Sequence, residues 1–142
     1  MANGAPVAGG LGCGRPASTR YGVHLELYAE RLVVPVPAGI GIAPPQRRRG
    51  AYVLGGRCVY PVRTYEPTGL VVAGRRAAPL TLGDLFAVWG QPLSRTRLAS
   101  FRGRLAAFVG GVRWGGPPFL GPIVPTGLDP VWWTQGQAAC AV

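Results

Sequence analysis

Lysine is absent from this chain: all 15 basic residues are arginine, set against only 5 acids, for a formal net charge of +10. Asn3 stands alone as an asparagine, and Ile40, Ile42 and Ile123 are the only isoleucines. Lys, Asn and Ile share AT-rich codons, so the bias points to a GC-rich genome, but it does not account for the shortage of acids. There is 1 histidine, and the 3 cysteines (Cys13, Cys58, Cys140) form no C-x-x-C pair. That excludes a zinc ribbon or a thioredoxin-like redox motif. No apolar run approaches the roughly 20 residues of a membrane-spanning helix. Charged residues make up only 14% against 48% hydrophobic, which excludes a charged disordered tail. What is abundant is glycine (23) and proline (15), in a length of 142 residues that suits one domain.

The apolar pattern reads as β. Val23, Leu25 and Leu27 alternate with His24, Glu26 and Tyr28, the period of a strand with one buried face. Glu30-Arg31 breaks the pattern, and the run from Leu32 to Val36 makes a hairpin partner that its prolines confine to a sheet edge. A Gly/Pro/Arg-rich connection covers 37–57, with a short strand at Ala51–Leu54. Strands follow at Cys58–Val62 and Gly69–Ala73 around the turn Glu66-Pro67-Thr68-Gly69. Thr81 with Asp84 three residues on is a capping-box variant, and Leu82, Leu85, Phe86 and Trp89 keep helical spacing up to Gly90 and Pro92. That predicts one short helix near 81–89, with Trp89 as its core anchor and Gly90 as its C-cap. Leu105–Val109 and Val112–Trp114 flank Gly110-Gly111 as a second hairpin. The expected fold is α+β, mainly β: a small single domain of short antiparallel strands at 20–133. A flexible Gly/Ala/Pro-rich segment (1–19) precedes it and a flexible tail (134–142) follows. Trp132-Trp133 would point to opposite faces of a strand, leaving one for a surface or a partner.

His24-Leu25 through Pro37–Ile42 (PAGIGI), then Cys58-Val59-Tyr60 and Thr81–Ser94 (TLGDLFAVWGQPLS), resemble an uncharacterised family of bacterial exported or membrane-tethered domains. That family shows H-x-H-x-H-L, P-A-G-I-G-I, Cys-x-Tyr followed by H-T-H-D, and T-L-G-x-F-F-x-x-W-G-Q-P-L. The resemblance spans about residues 20–125 and implies a metal site built from histidines at alternate strand positions. This chain departs from it at those positions. Arg20 and Gly22 stand where histidines would be, only His24 remains, and Arg63-Thr64-Tyr65-Glu66 replaces H-T-H-D. A guanidinium has no lone pair for a metal. The resemblance therefore implies a degenerate copy, with Arg20, His24, Arg63, Tyr65 and Glu66 lining whatever pocket persists. Ion pairs Arg63–Glu66 or Arg63–Glu26 are the plain alternative. It also implies an extracytoplasmic or membrane-associated location, although Met1–Pro16 lacks the basic and apolar regions of a signal peptide. A start upstream of Met1 would restore one.

Catalytic chemistry finds little support. His24 is the one conventional base, Glu26 is its neighbour two residues on, and no nucleophile sits in a recognisable elbow. The chain reads as non-catalytic, with no cofactor implied. Cys13 and Cys58 are the candidate disulfide in an oxidising compartment, with Cys140 left over, and three free thiols are the alternative. Two arginine clusters, Arg47–Arg49 with Arg57 and Arg95, Arg97, Arg102 and Arg104, suit an anionic partner. No recognition-helix, RRM or KH pattern accompanies them, so nucleic acid is disfavoured. The expected function is a binding module whose partner is a protein or a small anionic ligand. A metal-dependent protein and an arginine-mediated anion or nucleic-acid binder are the alternatives.

Overall fold

The structure is a computed structural model. It describes residues 7–8, 10–16, 20–74, 80–123 and 136–141, with only the backbone of 7–8 and 136–141. The described residues are mainly β, with one α-helix and short strands in small sheets. Trp132 and Trp133 lie outside the described residues.

The long strand Arg20–Ala29 is the axis of the molecule. Its odd positions Val23, Leu25, Leu27 and Ala29 are buried, and its even positions are half-buried or exposed, as the alternation requires. On one side it pairs antiparallel with Leu70–Gly74 through residues 20–24, and with Leu32–Val34 through residues 27–29. Val62–Arg63 extends the sheet beyond Leu70–Gly74. On the other side lies Gly136–Ala141, parallel to the long strand from the pair Gly136–Val23 to the pair Ala141–Tyr28. It is followed outward by the hairpin Ala106–Val109 and Val112–Arg113.

This arrangement corrects two expectations about the chain's ends. Residues 136–141 are not a tail but an interior strand, hydrogen-bonded on both edges. Gly, Gln and Ala carry no hydrophobic periodicity, so only the two neighbouring strands select the extended conformation there. The 1–19 segment is likewise engaged over part of its length: Leu11 and Cys13 are buried, Cys13 is disulfide-bonded to Cys58, and Gly14 bridges Val59. The expected strand over Cys58–Val62 is shorter. Val59 makes isolated bridges with Gly14 and Ile42, and regular pairing starts only at Val62.

Leu82–Trp89 is the helix. The Thr81 hydroxyl accepts from the Asp84 backbone N–H at 3.2 Å, and the Asp84 carboxylate accepts from the Thr81 N–H at 2.8 Å. Gly90 closes the other end in the left-handed region, at φ 78°. Leu82, Leu85 and Phe86 pack into one core with Val23, Leu25, Leu27, Val62 and Val71. Each such side chain contributes about 1.5–3 kcal/mol on burial, which holds a helix too short to persist alone. Trp89 is only half-buried, tilted against Phe86 with ring centroids 5.2 Å apart. The region around Arg95–Arg104 forms a small three-stranded meander: Leu93–Ser94, Arg97–Leu98 and Phe101–Arg102.

Candidate functional site

Strand register decides where the sequence-predicted residues lie. Arg20, Gly22 and His24 project from one face of the long strand. Gly22 lies opposite Val72, and Val72 opposite Arg63, so Arg63 shares that face. The intervening strand sets Arg63 two strand spacings from the long strand, about 10 Å. The five predicted residues therefore separate into two groups, with Arg20 exposed at the strand's start and Glu66 in the turn after Tyr65.

The first group is Arg63 with Tyr65. Arg63 is 1% exposed. Its Nε donates to the Tyr65 hydroxyl at 2.6 Å and its Nη1 to the Tyr60 carbonyl at 3.0 Å, while its Cζ lies 5.5 Å from the Tyr65 ring centroid. Nη2 is buried without a partner. Neither expected ion pair forms: among the described residues the one approach of a basic side chain to a carboxylate within 4 Å is His24 to Glu26. The cover over Arg63 comes from the PAGIGI loop. Gly41 has φ +71°, and a Cβ there would run into the Val62 carbonyl and the Arg63 backbone. Thr64 clamps the same loop. Its hydroxyl donates to the Pro37 carbonyl at 2.7 Å and accepts from the Ile40 N–H at 3.1 Å. The other side of this loop lines an open cleft of about 360 Å³ with Arg57, Tyr60, Val88 and Trp89.

The second group runs along the long strand. His24 Nδ1 lies 3.8 Å from Glu26 Oε1, and Tyr28 donates from its hydroxyl to Glu26 Oε2 at 3.0 Å. That hydrogen bond, together with the carboxylate's charge and slight burial, holds the Tyr28 phenol above its ordinary pKa. His24 Nε2 is 3.2 Å from the Thr68 carbonyl. These residues and Val33–Val36 line a second hollow of about 250 Å³. Tyr28 was missing from the predicted site, although its place two residues beyond Glu26 is the signal that would have included it. Gln46, another omission, has no such signal. Its amide donates to the Gly39 and Ile42 carbonyls at 3.1 and 2.9 Å, and its carbonyl accepts from Arg48 at 2.8 Å.

No group of three or more His, Cys, Asp or Glu suited to a metal ion occurs among the described residues. No protein-family profile, curated protein or solved structure matches the chain.

Proposed function

We propose that this chain is a non-catalytic binding module of an extracytoplasmic compartment, a copy of the resembled family in which a metal site has been lost. The observation that carries this reading is Arg63. A permanent cation, buried and hydrogen-bonded to Tyr65, occupies the segment where the resembled family places H-T-H-D. A metal ion there would meet a charge of its own sign, with no lone pair to bind. The buried Nη2 without an acceptor favours a small anion as the ligand. The Cys13–Cys58 disulfide supports an oxidising compartment, where such bonds persist.

The test is metal analysis of the full chain, purified without chelator and again after incubation with excess zinc or copper and desalting. Metal well below one ion per chain is expected in both. One tightly held transition-metal ion per chain would overturn the reading and favour the pair His24–Glu26 as the remnant of a working site.

A further inference from the structure

The arginine-rich hairpin carries exposed cationic and apolar side chains together. Arg47–Arg49 pairs antiparallel with Tyr52–Gly55 around the exposed tip Gly50-Ala51. Val53 is fully buried, which anchors one face of the ribbon against Ile42 and Val59, and its N–H donates to the Tyr65 carbonyl at 2.8 Å. The alternation then drives Tyr52 and Leu54 outward, where they are 52% and 54% exposed. Arg49 lies directly opposite Tyr52 and so shares the outer face. Arg47 crosses the side-chain-free Gly55, and Arg48, opposite Val53, is steadied by Gln46; both remain exposed. From Arg31 to Tyr65 the sequence has no acid but 6 arginines. No carboxylate among the described residues pairs with any hairpin arginine.

The geometry points to this hairpin as a docking element for an anionic lipid bilayer surface. Arg49, on the same face as Tyr52 and Leu54, meets headgroup phosphates, and Tyr52 and Leu54 enter the boundary between headgroups and acyl chains. A bilayer supplies both chemistries at the spacing of a two-stranded ribbon. Nucleic acid supplies phosphates for the arginines and a stacking face for Tyr52, but no apolar layer for an exposed leucine. The small residues at the tip let the ribbon approach a plane without obstruction. This inference stands on residues other than Arg63 and is independent of the metal-site reading.

The experiment is co-sedimentation of the full oxidised chain with phosphatidylcholine vesicles, with and without about 30% phosphatidylglycerol. Binding only to the anionic vesicles is expected. R47Q/R48Q/R49Q should weaken it about tenfold or more, as loss of three charges at a membrane surface requires. Y52S/L54S should weaken it severalfold while leaving the salt dependence intact. The control R95Q/R102Q/R104Q removes the same charge elsewhere and should change binding less than about twofold. Because Arg47 and Arg48 also touch the hairpin's own frame, R49Q alone is the variant that tests docking with the fold unaltered. Its expected loss is about fivefold, with an unchanged circular dichroism spectrum. Equal losses from the two triple variants would overturn the proposal in favour of bulk charge. Displacement by a DNA oligonucleotide, with Y52S/L54S unaffected, would overturn it in favour of nucleic acid.

Discussion

Arg63 is the residue with the most to explain. A buried guanidinium loses its hydration, and here it recovers two hydrogen bonds and one aromatic face but no counter-charge. Breaking or leaving incomplete a buried charged pair is more costly than replacing it with a well-packed apolar side chain. Methionine nearly fills the same space without a charge. Arg63→Met is therefore expected to fall within about 1 kcal/mol of the parent stability or above it. Arg63→Ala, which opens a cavity beneath the PAGIGI loop, should lose about 2–4 kcal/mol. Urea unfolding of both variants checks this. A methionine variant as damaged as the alanine one would mean that the bonds to Tyr65 and Tyr60 hold the layer together. The sequence showed an arginine at position 63. It could not show that Arg63 is buried, because the cover comes from residues more than twenty positions upstream.

Among the elements, the hairpin Arg20–Ala29 and Leu32–Val34 turns through two residues that suit it poorly. Glu30 and Arg31 sit at φ 53° and 68°, both in the left-handed region. Two-residue hairpin turns of type I′ demand positive φ at both central positions, and Asn-Gly accepts this with least strain. A side chain with a Cβ costs roughly 1–2 kcal/mol there. Replacing Glu30-Arg31 by Asn-Gly should raise stability by about 1–2 kcal/mol, read as an increased urea midpoint with an unchanged slope. An unchanged or lower midpoint would show that the charged pair has contacts in solution that offset the strain. The polar break at 30–31 was legible as a turn because a two-residue interruption between apolar runs has few other solutions. The helix was equally legible, since its cap, its spacing and its terminal glycine agree at one place. The Arg47–Arg49 strand was not: three arginines carry no β pattern, and only pairing with Tyr52–Gly55 selects it.

At the scale of the whole molecule, two long-range links close the structure. One is the parallel pairing of Gly136–Ala141 with the long strand, which needs nearly the whole chain between them. The other is the disulfide Cys13–Cys58, which ties the N-terminal segment across a separation of 45 residues, with Cα atoms 5.4 Å apart. A loop of that size confines the unfolded chain by up to about 4 kcal/mol of entropy. Reduction should thus lower stability by about 2–4 kcal/mol and release Leu11 from the core, measured by denaturant melts with and without reductant and by hydrogen exchange at Leu11. Melts that coincide under both conditions would mean that the N-terminal segment contributes nothing to the fold.

The sequence by itself determined the local features: the alternating strand, its turn, the capped helix and the second hairpin. Each is set by interactions within a few residues, where period, capping and backbone angle act directly. The tertiary structure alone decided that His24 and Arg63 share a face yet stand two strands apart. It also decided that Arg63 lies under a glycine-lined loop, and that the featureless C-terminal residues form an interior strand. Those outcomes depend on backbone pairing between distant segments, and a main-chain hydrogen bond leaves no mark on the side chains it joins.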